Sequence, residues 1–394
     1  MSLGTIYFCF PNPSGFSGQK AATEMVIKGL SGRGWTCRRL PQPVLERSGV
    51  RLLAKLRHCG ALLAAWMRAF VMLGARGGWL CVNLGQTRSA ILRDTFTLLI
   101  GSLSLGRERT VVSLHGSLFM RWSEPSLEAR WFRFLLGRAG RVTVLGENQR
   151  KRLLGFGVPE SRTAVLINSC TIEPVSIDAV RKKHGVETDD GRPVRCLHLS
   201  SLIDAKGFPE YLEALRRLSA AGGPAIDAVL CGRLIESEFT DRFHDIHSAE
   251  QWIGDVMEET NRTSRMRVRW INGATGTAKE TLFREADLFI LPTHYAVEAQ
   301  PIVLLEAMAS GCAIITTRAG EIPTILDEQT AVFLREVSAQ AIATAIETLA
   351  RDRAMRAALA LAAHARFMNC YQIERHLDSW EALLNGKGAR SPAA

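Results

Sequence analysis

The stretch FILPTHYAVEAQPIVLLEAMASGCAIITT, residues 289–317, decides the fold. It begins with an apolar strand, continues through a short polar loop that carries Glu298, and passes Pro301 into a helix that carries Glu306. Pro301 lacks an N–H and fixes φ near the helical value, so it fits the first turn of a helix that runs to about Ser310. A strand, a loop and a helix in this order form the unit from which parallel α/β sheets are built.

The backbone amides near Pro301 are predicted to form a phosphate site. They have no helical partners, and the positive end of the helix dipole lies behind them. Glu298 projects from the loop before the helix, and Glu306 lies about one and a half turns inside it. Carboxylates suit sugar hydroxyls rather than phosphates, so the predicted ligand contains both a phosphate and a sugar. The alternative is that Glu298 is a loop charge and Glu306 a solvated helix residue.

This segment resembles the signature of the family-4 retaining glycosyltransferases, in which two glutamates are separated by seven residues. The likeness extends through the strand 313–317 and includes Gln300, Pro301, Leu305, Ala307, Met308 and Gly311. The resemblance implies that Glu298 binds the hydroxyls of the donor sugar and Glu306 the ribose diol of the nucleotide. Ala299 departs from the pattern, because the family usually has glycine there. We also expect donor contacts from Ala299, Gln300, Pro301 and Ile302.

A second element is HLSSLIDAKGFPEYLEALRRL, residues 198–218, in which a strand of about 194–199 leads through a loop to a helix from about Phe208. Lys206 stands at the carboxyl exit of this strand, where open α/β sheets bind ligands, and its ammonium suits a phosphate. An exposed turn is the alternative interpretation of this Lys-Gly pair. In the family that the chain resembles, a Lys-Gly here binds the donor diphosphate.

The family generally adds an arginine five residues before that lysine, and here the position is Ser201. Arg233, which follows the next strand in AVLCGRL, is the candidate replacement. A surface arginine after a turn is the alternative. The donor site expected from the second half of the chain therefore includes Ser201, Lys206 and Arg233.

The N-terminal half offers two weaker motifs. Its first strand, Gly4 to Phe10, leads through PNPSGFSGQ to a helix from about Gln19, and Gly15 and Gly18 would let backbone approach a ligand. His115, in VVSLHGSLF, follows another buried strand; a structural histidine is the alternative to a catalytic one. The resemblance implies that His115 faces the donor sugar. The expected catalytic residues are Lys206, Glu298 and His115.

The 394 residues suit two domains rather than one. Alternating strand and helix patterns predict parallel sheets in an α/β fold, and the polar stretch 182–192 is typical of a boundary. The resemblance implies the GT-B architecture, two Rossmann-like domains with parallel sheets facing a central cleft. We expect an acceptor-binding domain at 1–180, a nucleotide-sugar-binding domain at 181–370, and a last helix within 371–394 that crosses back. Further strands are predicted near 79–84, 110–115, 141–145, 163–167, 225–231, 267–271, 286–291 and 313–317.

Charge is uneven along the chain. Residues 1–180 hold 24 Lys and Arg against 10 Asp and Glu, a balance of +14, whereas the remainder holds 25 against 29, a balance of −4. In the N-terminal half a basic amphipathic helix is predicted, which packs its apolar side on the first sheet, lies on an anionic membrane, or does both. Its basic residues are Arg51, Lys55, Arg57, His58 and Arg68, and its apolar residues are Leu52, Leu53, Leu56, Leu63, Met67 and Phe70.

Other classes of protein fit less well. Nine cysteines without a C-x-x-C pair indicate reduced, mostly buried thiols and no metal site. The basic charge is not accompanied by a nucleic-acid-binding motif, so we expect no nucleic-acid partner. No apolar run reaches the length of a membrane span, and no signal peptide is recognised. These features predict a cytoplasmic protein that can attach peripherally to the inner face of the membrane.

The sequence therefore predicts a metal-independent, retaining glycosyltransferase without a cofactor. Its substrates would be a nucleotide-diphosphate sugar and a glycan or lipid-linked acceptor in cell-envelope polysaccharide synthesis, such as that of lipopolysaccharide. Two alternatives remain open at this point: a nucleotide-sugar isomerase or epimerase on the same scaffold, and a non-catalytic carbohydrate-binding relative.

Overall fold

The protein divides into two compact units. The computed structural model describes residues 3–12, 18–44, 52–185, 191–236, 242–262 and 265–386, with only the backbone at 52–56 and 74–76. Residues 1–170 together with 373–394 form the first unit, and residues 171–372 form the second. The division thus lies after Cys170, whereas the sequence pattern placed it after residue 180. The reason is Val180, which is fully buried in the core of the second unit.

The first unit is built on a parallel sheet. Its described strands are β1 (Thr5–Pro11), β2 (Thr36–Gln42), β3 (Trp79–Asn83), β4 (Thr110–Ser113), β5 (Arg141–Val144) and β6 (Thr163–Val165). They pair in the order β2-β1-β3-β4-β5-β6. Its described helices are α1 (Gly18–Gly32), α2 (Leu52–Arg76), α3 (Arg88–Ser104), α4 (Leu127–Leu136) and α5 (Glu147–Gly155).

The second unit repeats this plan. Its described helices are α6 (Ile177–Lys183), α7 (Phe208–Ala220), α8 (Ile246–Thr260), α9 (Gly276–Glu285), α10 (Ile302–Ala309), α11 (Ile322–Ile325), α12 (Ala339–Arg351) and α13 (Arg353–Cys370). Its described strands are β7 (Val194–Leu199), β8 (Ile226–Cys231), β9 (Met266–Ile271), β10 (Leu288–Leu291), β11 (Ala313–Thr316) and β12 (Val332–Phe333). They pair in parallel in the order β12-β11-β10-β7-β8-β9. Two Rossmann-like units are therefore present, as the sequence predicted.

The last helix, α14 (Ile373–Leu384), belongs to the first unit. Leu377 and Trp380 are buried in its core, and the ring of Trp380 lies edge-on to Phe8 with centroids 6.1 Å apart. The indole of Trp35 donates a hydrogen bond of 3.0 Å to Glu381. Apolar burial and a polar contact at the margin thus fix a segment that is distant in sequence from the rest of this unit.

The sequence pattern did not predict two of the strands, β2 and β12. In β2 the sequence TCRRLPQ contains two arginines and Pro41, which disrupt apolar alternation. Such a strand is tolerated because it pairs on one side only, at the edge of the sheet. β12 is only two residues long and also lies at an edge.

The interpretation that the basic helix packs its apolar side on the first sheet is wrong for the residues whose side chains the structure describes. Leu63, Met67 and Phe70 of α2 are exposed by 59%, 63% and 58%, so they do not pack on the sheet. The packed side of α2 consists instead of Ala69 and Leu73, which the charge pattern did not single out. The structure does not describe Arg51 or the side chains of Leu52, Leu53, Lys55 and Leu56.

Most cysteines are buried, as the sequence predicted. Six of the nine cysteines are buried. Among the described residues, no helix has both the length and the apolarity needed to cross a bilayer.

Candidate functional site

The candidate site lies at the carboxyl edge of the second sheet. The strands β10, β7 and β8 are neighbours, and all run in the same direction. The loops that follow them therefore leave the sheet at one edge, which is where ligands bind in open α/β sheets. These loops carry Glu298, Lys206 and Arg233 respectively.

Lys206 ends a short 3-10 turn, Asp204–Lys206, that links β7 to α7. Its Nζ donates a hydrogen bond of 2.8 Å to Oε2 of Glu298 and lies 5.1 Å from the ring centre of Tyr295. The side chain of Lys206 is 17% exposed. It is therefore a partly enclosed cation held by a carboxylate and an aromatic face, and the exposed-turn interpretation is wrong.

Two glycines hold the loop that carries Glu298. Gly207 has φ +81°, and a Cβ there would lie 2.3 Å from the carbonyl oxygen of Pro292. Gly320 has φ +55°, and a Cβ there would lie 2.3 Å from the carbonyl oxygen of Glu298. A side chain at either position would push the loop away, so both approaches require glycine.

Glu298 is buried rather than solvated. Only 7% of its surface is exposed, and its Oε2 also accepts a hydrogen bond of 3.0 Å from the hydroxyl of Thr293. The loop-charge alternative is therefore wrong. Thr293 and Lys206 together fix one carboxylate oxygen at the edge of the sheet.

The helix α10 begins directly after the loop that carries Glu298. Pro301 is the N-cap at φ −65°, one residue before the helix, and its carbonyl accepts a hydrogen bond from the Leu304 amide. Within the described part of the chain, no acceptor faces the amides of Ile302 and Val303. These two N–H groups at the positive end of a helix can bind an anion.

The residues between Glu298 and Pro301 are enclosed. Ala299 and Gln300 are both buried, and the carbonyl of Ala299 accepts a hydrogen bond of 2.8 Å from the Glu321 amide. No non-glycine residue in the described ranges has a positive φ. Alanine at 299 therefore causes no backbone strain, although the family usually has glycine there.

Glu306 is also buried, so its interpretation as a solvated helix residue is wrong. Its side chain is 3% exposed, and its Oε1 accepts a hydrogen bond from Nζ of Lys279 in α9. Its Oε2 is buried and has no partner. Burial raises the pKa of the Glu306 carboxyl, and the ammonium of Lys279 opposes that shift.

Lys279 was not among the residues predicted from the sequence. It lies near the start of an amphipathic helix, where a lysine is ordinarily solvated, and no motif surrounds it. Its ammonium meets a carboxylate 27 residues away on another helix, and the spacing of the two residues in the sequence does not predict that contact.

Ser201 and Arg233 lie on adjoining loops. The Leu202 amide donates a hydrogen bond of 2.8 Å to the carbonyl of Arg233, which ties the exit of β7 to that of β8. Arg233 is exposed, and its side chain lies along Gly273, whose ideal Cβ would be 3.4 Å from Cγ of Arg233. The guanidinium of Arg233 is therefore a cation on the loop after β8, which adjoins the loop after β7 that carries Ser201.

The first unit carries the remaining predicted residues. His115 follows β4, and burial, with a smaller effect from His376, lowers its pKa to about 4. Its imidazole is therefore neutral near pH 7. The adjoining Gly116 carbonyl accepts a hydrogen bond of 2.9 Å from Gln86. Gly18 begins α1 with open space at its Cβ position, and Gly15 lies outside the described residues.

The matched family agrees with this geometry. Residues 180–366 match the family described as Glycosyl transferases group 1. This part of the chain, a little under half of its length, is similar to the group 1 glycosyltransferases. The matched range contains Lys206, Arg233, Lys279, Glu298 and Glu306, which are the charged residues of the candidate site.

Relatives and solved structures extend the comparison. The amylovoran biosynthesis glycosyltransferase AmsK of Erwinia amylovora is 24% identical over 222 residues, which are 55% of this chain and 48% of that protein. The chain thus spans about half the length of the curated relatives it matches. Anabaena HepE, solved with UDP and glucose, has a TM-score of 0.68 at 16% identity, over 96% of this chain and 99% of that one.

A second solved structure gives the same result. Sucrose-phosphate synthase from Thermosynechococcus elongatus has a TM-score of 0.69 at 15% identity and covers 96% of this chain and 98% of that one. Both likenesses cover nearly the whole chain and concern the fold. In the described part of the chain, no three His, Cys, Asp or Glu side chains gather as a metal ligand set.

Proposed function

We propose that this protein is a retaining, metal-independent glycosyltransferase that moves a sugar from a nucleotide diphosphate to a glycan or lipid-linked acceptor. The observation that carries the proposal is the convergence at one sheet edge of Lys206, Glu298, Glu306 and the free amides of α10. Cations and amides suit a diphosphate, and carboxylates suit hydroxyls. A nucleotide sugar has both groups.

The charge on the leaving diphosphate is the central chemical problem. When the bond between C1 of the sugar and the diphosphate oxygen breaks, negative charge develops on that oxygen. Lys206 would exchange Glu298 for the phosphate, and the amides of Ile302 and Val303 would face the same group. Preorganised donors of this kind lower the barrier because they need little reorganisation during the reaction.

The two carboxylates would bind hydroxyl groups. Glu298, released from Lys206, would accept hydrogen bonds from the transferred sugar. Glu306 keeps Lys279 on one oxygen and would use its unpaired Oε2 for the ribose diol. An acceptor hydroxyl then bonds to C1 on the face that the diphosphate leaves, and its proton passes to a leaving phosphate oxygen. No side-chain nucleophile is needed for this route.

The names of the relatives support an envelope polysaccharide as the product. AmsK is named for amylovoran biosynthesis, and the solved WaaG for lipopolysaccharide biosynthesis. HepE was solved with UDP and with UDP-glucose, so uridine nucleotides are the first donors to test.

The test is a thermal-shift screen against UDP, GDP and ADP, with and without EDTA. A nucleotide that binds only the folded state raises the melting temperature as its concentration increases. We expect one of the three nucleotides to do this, and to the same extent with and without EDTA. Transfer is then measured with the matching nucleotide sugars, and NMR of the product gives the anomeric configuration. An inverted product would contradict retention, and a rearranged sugar formed without an acceptor would indicate an isomerase. Binding without turnover would favour a non-catalytic relative.

A further inference from the structure

The first unit exposes an apolar stripe along α2. Leu63, Met67, Phe70 and Val71 are each about 60% exposed, at 59%, 63%, 58% and 62%. At 100° per residue they fall within an arc of about 100°, so they form one face of the helix. The opposite face of α2 already packs into the core through Ala69 and Leu73. The helix therefore has a second apolar face that no described part of the chain covers.

The neighbouring helix extends this surface. In α3, Leu92, Phe96 and Leu103 are exposed by 50%, 44% and 84% and fall within an arc of about 40°. The rings of Trp66 in α2 and Phe96 in α3 lie with centroids 4.5 Å apart and join the two stripes. A contiguous exposed apolar patch of this kind marks an interaction surface. We call these seven exposed residues and Trp66 the α2–α3 face.

Exposed arginines border the α2 side of this face. Between residues 47 and 93 the sequence contains no Asp or Glu. On the α3 side, Arg93 is buried against Asp94 and Arg88 pairs with Glu128, so the positive charge that can meet a partner lies on α2. On the α2 wheel Arg57 and Arg68 lie within about 60° of Val71, and both are exposed. The partner of the α2–α3 face should therefore be apolar inside and anionic at its rim.

We propose that the α2–α3 face docks on the surface of an anionic phospholipid bilayer. The apolar side chains enter the boundary between headgroups and acyl chains, and the arginines contact the phosphates. A second copy of the chain would fit less well, because a twofold contact would bring two such basic segments together. This inference goes beyond the proposed transferase and does not depend on it.

The test is co-sedimentation of the full-length protein with vesicles of phosphatidylcholine alone or with added phosphatidylglycerol. We expect the wild type to sediment with the phosphatidylglycerol vesicles, and less of it at high salt. The triple variant Leu63→Ser, Met67→Ser, Phe70→Ser should lower the partition coefficient about 100-fold, because it removes the apolar stripe. All three residues are exposed, so the fold should persist, which circular dichroism checks. The matched control, Ile246→Ser with Met355→Ser, replaces exposed apolar residues of the second unit and should bind like the wild type.

The charge is tested separately. Arg57→Gln with Arg68→Gln should lower binding to phosphatidylglycerol vesicles about 30-fold and should leave the weak binding to phosphatidylcholine unchanged. Arg217→Gln, at an exposed position of the second unit, is the control. Wild type that stays in the supernatant with anionic vesicles, or a triple serine variant that sediments like wild type, would overturn the proposal. A dimer that the serine variant abolishes, together with absent vesicle binding, would assign the face to self-association instead.

Discussion

The two lysine–glutamate pairs of the second unit use the same side chains in different ways. The pair Lys206–Glu298 joins two loops, and its carboxylate has a further donor in Thr293. The pair Lys279–Glu306 joins two helices, and the second oxygen of Glu306 is buried without a partner. Glu298 can therefore release Lys206 and keep a hydrogen bond, whereas Glu306 has only Lys279. We infer that the first pair opens when a ligand binds and that the second stays closed.

The largest effect is expected from Lys206→Ala. If this lysine leaves Glu298 for the leaving diphosphate, its loss should lower kcat about 10²-fold or more, with the fold intact. Steady-state kinetics with the donor found in the thermal-shift screen measures this change. Lys182→Ala, which removes an exposed lysine of the same unit, is the control. A kcat within a few-fold of wild type for Lys206→Ala would remove the lysine from the reaction.

Gly207→Ala distinguishes the two pairs through the backbone. The new Cβ would lie 2.3 Å from the Pro292 carbonyl oxygen at φ +81°, so the loops of the first pair must separate. We expect a loss of about 2–3 kcal/mol in the free energy of unfolding, together with most of the activity. Gly222→Ala is the matched control, because φ is +66° but no atom lies within 4 Å, and its loss should be about 1 kcal/mol. Urea unfolding measures both, and equal losses would show that loop contact at Gly207 is unimportant.

Lys279→Met tests the pair that should stay closed. Without the ammonium, buried Glu306 takes up a proton more readily, and its hydrogen bond to a ribose hydroxyl loses charge assistance. We expect the Kd for the nucleoside diphosphate to rise about fivefold with little change in kcat, which is opposite to the pattern for Lys206→Ala. Isothermal titration calorimetry gives the Kd. A large fall in kcat with an unchanged Kd would mean that Lys279 acts on the leaving group.

The difference between the pairs also shows what the sequence could predict. Lys206 and Glu298 were found because each follows a strand exit, and Glu306 because it lies in the helix that Pro301 begins; local sequence determines those positions. The resemblance to a known family supplied their roles. The burial of both glutamates could not be predicted, since loop and helix glutamates are usually solvated.

Lys279 and the exposed stripe of α2 mark the limits of local patterns. Lys279 meets Glu306 from a different helix, 27 residues away, and sequence spacing carries no signal of that contact. The apolar periodicity of α2 predicted a helix correctly but could not show which of its apolar faces is covered. Strand β2 was missed for a related reason, because an edge position tolerates a polar sequence with a proline.

A dependence on pH tests the burial of the second pair. The pKa of Glu306 is raised by burial in the folded state, so its ionisation favours unfolding. Its contribution to stability is fully present below the ordinary value of 4.5 and is lost as pH rises through the folded pKa. Glu306→Gln cannot ionise, so its stability relative to wild type should increase from pH 4 to pH 7, by about 1.4 kcal/mol for each pH unit that separates the folded pKa from the ordinary one. Urea unfolding at several pH values measures the difference, with exposed Glu250→Gln as the control. A difference that stays constant with pH would mean that Lys279 fully compensates the buried charge. That result would contradict the inference that the unpaired Oε2 of Glu306 is kept available for a ligand hydroxyl.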